Sequence, residues 1–252
     1  MKILRTLMMV LLPVMAYAYS NEFNPPHWPG EGYNSNYFIL GVPDSKLQIS
    51  TKFRAIKEGG LFVAYTQQMY WGLWEDSHPM YDVNYNPDMF FRIVVDNSRS
   101  AWLDVGLLDH ESNGLQGEDS RSWNKLYLRY TDGVFIGQEN ELHWSFKVWY
   151  PYGPDPTSPD LQRYRGTFEM QVTINNIAKG LFDRNDLTIR VYPGGPSSVD
   201  LLKGGQEITL RGNLFFMKDM LPVVVLQFFH GYGERLIDYK TERTVFRAGI
   251  GF

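Results

Sequence analysis

The chain has 252 residues, 24 Lys+Arg against 28 Asp+Glu, a formal charge of −4 and no cysteine. The lack of cysteine excludes a disulfide scaffold, a thiolate zinc site and a cysteine nucleophile, and the acidic balance argues against the basic face of a nucleic-acid binder. With 15% aromatic and 21% charged residues the chain is neither a disordered tail nor a coiled coil.

The N-terminus carries Lys2 and Arg5, an apolar run from Leu7 to Ala16, and the small-x-small site Ala16-Tyr17-Ala18. Residues 1–18 therefore read as a bacterial secretory signal peptide, too short to span a membrane. Its removal leaves 234 residues with 22 basic and 28 acidic side chains. Residues 19–35, rich in Pro and Asn, read as an N-terminal lead-in, and 36–252 as one domain. No later segment approaches the ~20 apolar residues of a membrane helix; Leu221 to Phe229 already contains Pro222 and Gln227.

From residue 36 onward the pattern is period-2 alternation. Strands are predicted near 36–42, 47–55, 60–71, 83–95, 101–110, 123–131, 141–150, 165–176, 186–192, 206–217, 222–231 and 241–252. Leu142, Trp144, Phe146 and Val148 alternate with Glu141, His143, Ser145 and Lys147, and Phe168, Met170, Val172 and Ile174 with Glu169, Gln171, Thr173 and Asn175. Residues two apart share a face, so each segment has one apolar and one polar side. Loops and turns are read at residues 151–156, at Pro193-Gly194-Gly195-Pro196 and at Lys203-Gly204-Gly205.

A soluble sandwich alternates in the same way. Three features favour a membrane. The segments approach the ~9–11 residues of a tilted membrane strand. Aromatics gather at segment ends (Trp71, Trp74, Trp123, Trp149, Tyr150), where an interfacial girdle sits. The last segment alternates to a terminal Phe252, with Thr244, Phe246, Ala248 and Ile250 on its side and Arg243 and Arg247 opposite. The predicted fold is an all-β transmembrane antiparallel barrel of about twelve strands in the bacterial outer membrane.

Candidate chemistry lies at Asp109-His110-Glu111-Ser112-Asn113-Gly114 and in the next segment, Ser120-Arg121-Ser122-Trp123-Asn124. His110 and Ser112, two apart, project to one side of an extended chain. A serine hydroxyl needs a base to take its proton, and the base needs a third group to fix its tautomer. Asn124 lies in step with Leu126, Leu128 and Tyr130, and an amide on a lipid-facing stripe is costly enough to suggest a function. Against this, Ser-Asn-Gly is also an ordinary turn signature. The alternation over 101–110 is uneven too, because Asp104 and Gly106 share parity with Leu108 and His110. Parity alone does not put His110 outside.

These two blocks, with Lys125-Leu126-Tyr127, resemble the signature of the outer membrane phospholipase A family. Asn84-Tyr85, Lys147-Val148-Trp149-Tyr150 and the run from His230 to Tyr239 resemble the same family, so that the likeness runs from about residue 60 to the C-terminus. It implies a twelve-stranded barrel with a Ser-His-Asn triad on its outer surface: Ser112 the nucleophile, His110 the general base and then acid, Asn124 the orienting group. The implied reaction is calcium-dependent hydrolysis of phospholipid and lysophospholipid acyl esters by a homodimer. By the same likeness Ser120 offers calcium its hydroxyl, Leu115 its carbonyl and Ser77 of the partner subunit its carbonyl, while the Gly114 N–H forms the oxyanion hole.

Gln67, in step with Val63, Tyr65 and Met69, takes the place of a family glutamine that hydrogen-bonds across the dimer. The chain departs from the family at 115, where Leu replaces the common Arg although only a carbonyl is needed. It departs again at Thr157, which aligns with the acid of a second calcium site; Asp155 and Asp160 lie nearby. The alternative readings are a non-enzymatic barrel, channel or adhesin, on the same scaffold, and a soluble secreted sandwich.

Overall fold

The computed structural model describes residues 33–56, 60–136, 140–153, 155–177, 180, 182–196, 200–214 and 223–251. The proposed signal peptide, most of the lead-in and Phe252 lie outside the described residues.

Twelve antiparallel strands form one closed barrel: β1 (Tyr37–Val42), β2 (Ser45–Arg54), β3 (Leu61–Trp71), β4 (Met80–Asp96), β5 (Ala101–Ser112), β6 (Ser122–Ile136), β7 (Asn140–Tyr152), β8 (Phe168–Asn175), β9 (Phe182–Gly194), β10 (Asp200–Leu214), β11 (Val223–Gly231) and β12 (Arg243–Gly251). Each strand pairs with its sequence neighbour, and β1 closes on β12 through Tyr37↔Gly251 to Val42↔Phe246. Closure leaves no unpaired strand edge, which a sheet in hydrocarbon requires.

The wall is inverted relative to a soluble protein. Leu126, Leu128, Phe146, Met170, Ile208, Phe246 and Ile250 are exposed on the outside, as a lipid-facing belt demands. The inside is charged and paired. Asp104 accepts from Arg92 (2.7 and 2.9 Å) and Arg129 (2.8 and 3.1 Å). Arg190 bridges Glu169 and Glu207. Arg247, fully buried, lies 2.5 Å from both Asp44 and Glu234. A polar-lined cavity of about 460 Å³ remains in the lumen. Tyr33 enters this space, stacks on Phe90 at 5.7 Å and hydrogen-bonds Asp88.

The end opposite the chain termini is capped from within. A five-residue helix, α1 (Leu161–Arg165), and the β11–β12 connection bring Leu161, Leu236 and Tyr239 onto Trp123 and Trp149. Glu234 lies in that connection. Burial pushes its carboxyl up, but Arg247, Lys46 and Arg243 override this and hold it down at about 2.

Two expectations are corrected. Lys203-Gly204-Gly205 is not a turn but part of β10, beside a bulge between Asp200 and Gly205. A Cβ on Gly204 would lie 1.8 Å from the Tyr192 carbonyl, so the glycine marks close backbone approach rather than a chain reversal. Trp123 and Trp149 do not join an outer girdle: in step with Lys125 and Lys147 they face inward, 5% and 9% exposed, and meet edge-on at 6.1 Å. Tyr150 and Trp74, by contrast, are strongly exposed.

Candidate active site

A β-bulge determines which way the candidate residues face. Asp88 pairs with Asp109, Met89 with Leu108 and Phe90 with Gly106, which leaves Leu107 as the extra residue on β5. Leu107 and Leu108 therefore both point outward, and the parity of the strand changes between them. Before the bulge Asp104 and Gly106 face the lumen; after it Asp109 and Glu111 do, so His110 and Ser112 face out. Gly106 makes room for Tyr127, whose ring would lie 2.1 Å from a Cβ there.

His110 pairs across the ladder with Asn124, and Ser112 with Ser122. The His110 Nδ1 lies 2.8 Å from Asn124 Oδ1. An amide oxygen only accepts, so Nδ1 carries the proton and Nε2 keeps its lone pair for a neighbouring hydroxyl. Ser112, next along the same face, is half-buried and accepts a hydrogen bond from the Gly114 N–H at 3.3 Å. Gly114 has φ +69°, and a Cβ there would also lie 2.9 Å from the Tyr85 ring.

The lumen side braces this geometry. Asp109 lies 3.2 Å from Lys125 and 2.8 Å from Lys147, and accepts from Asn86 at 2.9 Å. Glu111, between His110 and Ser112 in sequence, accepts from Trp123 Nε1 at 2.9 Å and from Arg165 of α1 at 2.9 and 3.1 Å.

The remaining candidates cluster around this point. Leu115 is exposed in the β5–β6 loop and Ser120 half-buried at its far end. The Ser120 hydroxyl donates to Asp155 at 3.3 Å, as does Ser122 at 2.9 Å, and Thr157 donates to the same carboxylate. Burial pushes the Asp155 carboxyl up, but these donors, Thr157 foremost, outweigh it and keep the group below the usual carboxylate range. An acid thus stands beside Ser120, two residues before Thr157.

Ser77 is exposed in the β3–β4 loop and has φ 64°; His78 follows at φ 46°. Two successive side-chain-bearing residues in the left-handed region mark a strained turn. It is held by Trp71 Nε1 donating to the His78 carbonyl at 2.8 Å. Gln67 faces outward on β3 and accepts from Tyr65 at 3.0 Å. One rung of the wall joins it to the nucleophile candidate: Gln67 pairs with Tyr85, and Tyr85 with Ser112. Two strand spacings separate Gln67 from Ser112, about 10 Å. The shared rung depends on register across three strands and leaves no mark in the sequence of any one of them. Asp155 gave a weak signal, its closeness to Thr157.

The apolar belt, charged lumen and closed twelve-strand sheet define an integral β-barrel of the bacterial outer membrane. The family model for phospholipase A1 matches residues 7–252, and the chain belongs to that family. The phospholipase A1 of Escherichia coli strain K12 is 29% identical over 201 residues, covering 76% of this chain and 61% of the relative. That of Proteus vulgaris is 26% identical over 94% of this chain and 77% of its own length. The chain thus spans about three fifths of the length of the first of these. The solved Escherichia coli outer membrane phospholipase A matches with a TM-score of 0.73 at 24% identity, covering 95% of this chain and 96% of that one. The Salmonella typhi outer membrane phospholipase dimer with bound calcium matches equally well, with a TM-score of 0.73 at 23% identity, covering 92% and 94%.

Proposed function

We propose that the protein is a calcium-dependent phospholipase of the outer membrane, active as a homodimer on phospholipid and lysophospholipid acyl esters. The observation that carries this is the His110–Asn124 hydrogen bond on a lipid-facing wall, with Ser112 next to it on the same face. Polar side chains are expensive there, and three that form an ordered hydroxyl, imidazole and amide set are accounted for by acyl transfer.

In this reading Ser112 Oγ attacks the ester carbonyl carbon while His110 Nε2 takes its proton. The imidazolium then returns that proton to the departing alcohol, leaving an acyl group on Ser112. Water, deprotonated by the same nitrogen, releases the fatty acid. Asn124 holds the ring in the productive tautomer, but being neutral it stabilises the imidazolium less than a carboxylate would. The Gly114 N–H donates to the developing oxyanion.

The donor set near Ser112 suits calcium. Ser120 Oγ, the Leu115 carbonyl and, from the partner subunit, the carbonyl of Ser77 are hard oxygens of the kind calcium takes. Among the described residues no three His, Cys, Asp or Glu side chains gather as a metal cluster, so neutral oxygens and water would complete the shell. Bound there, calcium would polarise water at the oxyanion position. Gln67, on the same rung as Ser112, is the proposed contact across the dimer. A site assembled from two barrels explains how an enzyme surrounded by its substrate stays idle as a monomer.

The test is fatty-acid release from phospholipid micelles by the purified protein, with calcium, with excess chelator, and with Ser112→Ala. Release that needs calcium and falls by about 10³-fold or more in the variant is the expected result. A folded, dimeric wild type that releases nothing with calcium would return the protein to the non-enzymatic reading.

A further inference from the structure

Asn113 follows Ser112 and is the first residue of the β5–β6 loop, yet only 4% of it is exposed. It shares parity with Asp109 and Glu111, so its side chain lies on the lumen side of the wall, behind the loop. There its amide makes three hydrogen bonds to main chain. Oδ1 accepts from the N–H groups of Leu115 (3.3 Å) and Arg121 (3.0 Å), and Nδ2 donates to the Asp119 carbonyl (2.8 Å). Its own N–H donates to the Arg121 carbonyl at 3.0 Å. One buried residue therefore ties both ends of the loop together.

The carbonyls of the loop divide into two groups. That of Gly117 accepts from Ser120 N, that of Glu118 from Arg121 Nη1, that of Asp119 from Asn113, and that of Ser120 from both Arg121 and Thr157. The Gln116 carbonyl opens the short 3-10 turn Gly117–Asp119, whereas among the described residues no hydrogen bond reaches the carbonyls of Gly114 or Leu115. The loop thus consumes the acceptors from Gln116 onward and leaves those of Gly114 and Leu115 open.

We propose that Asn113 is a positioning residue for calcium: from behind the loop it sets the separation between the Leu115 carbonyl and Ser120 Oγ, without touching ion or substrate. This rests on the calcium reading given above. A carbonyl and a hydroxyl five residues apart chelate one ion only if the loop between them is held, and the Asn113 amide holds it at positions 115, 119 and 121.

The experiment pairs calorimetric titration of calcium into the dimeric protein in micelles with fatty-acid release at saturating calcium. It compares wild type, Asn113→Ala and Asn113→Asp, all checked for heat-modifiable migration as folded barrels. Asn113→Ala is expected to weaken calcium binding by about tenfold or more, roughly the worth of one to two lost hydrogen bonds. Its rate at saturating calcium should fall by less than about threefold, since the ordering cost is then met by the ion. Asn113→Asp keeps both acceptor bonds and should recover much of the affinity; it also carries the measurement if the alanine variant does not fold.

Calcium affinity within twofold of wild type in a folded Asn113→Ala overturns the proposal. So does a loss of rate that saturating calcium does not restore, because that marks a general structural role. A wild type that binds no calcium fails at an earlier and separate step, and with it falls the calcium reading itself.

Discussion

The two faces of β5 and β6 solve opposite problems within a few ångströms of each other. On the lumen side Asp109, Glu111 and Lys125 are almost wholly buried and mutually paired. On the lipid side His110 and Asn124 share one hydrogen bond amid Leu108, Leu126 and Leu128. Charge inside is ordinary because these ions have partners, and removing one partner is what costs. Polarity outside has no such neighbours, and its persistence calls for a chemical reason. Changes to the inner face should therefore test stability and changes to the outer face the proposed activity, although the residues alternate along a single strand.

The largest effect should come from the inside. Asp109→Leu takes from Lys147 its ion-pair partner and leaves Lys125 with Glu111 alone, and is expected to lower unfolding free energy by about 3–5 kcal/mol. Denaturant unfolding in micelles reads this directly; a loss under about 1 kcal/mol would mean that water in the lumen relieves the lysines. On the outside, Asn124→Ala should cut the rate of fatty-acid release by about 10²-fold. The same change should leave stability equal or slightly higher, because an amide leaves the lipid face. Lost activity and lost stability in equal measure would abolish the distinction between the faces.

The smallest effect lies at the rim, where neither solvent dominates. Asp155 has a folded pKa below its unfolded value near 4, so its contribution is complete above that value and fades as pH falls through the folded one. Asp155→Asn should therefore loosen the β7–β8 loop, seen as faster limited proteolysis at pH 6–7, by a margin that narrows steadily below about pH 4. A margin independent of pH would assign the effect to shape rather than charge.

Much of the fold was legible. Alternation located all twelve strands because the barrel has two chemically distinct sides, and Asn124 stood out as an amide in step with leucines. The orientation of His110 was not legible, because Leu107-Leu108 reads as an irregularity and only the pairing of β5 with its neighbours β4 and β6 shows a bulge. Lys203-Gly204-Gly205 misled for a related reason: composition marks glycine as a turn, whereas the Tyr192 carbonyl alone explains Gly204. Trp123 and Trp149 misled because interfacial position is read from sequence distance, and facing from parity. The ties around Asn113 and Asp155, and the rung from Gln67 to Ser112, are relations among loops and strands that no local pattern encodes.

The bulge at Leu107 also has a bearing on how this wall tolerates change in length. Its single surplus residue is absorbed locally: deleting it would leave a regular ladder with the same facing, but if Leu107 and Leu108 each paired one-to-one with β4, everything from Leu108 to Gly114 would exchange sides. The serine, histidine and asparagine would all still be spelled out in the gene, but the first two would open onto the ion-paired lumen and the acids onto lipid. Such a protein would pass any inspection for motif residues and fail at the bench. For relatives of this chain, how the residues between Asp104 and His110 pair with β4, with a bulge or without, is as informative as the identity of the residues themselves.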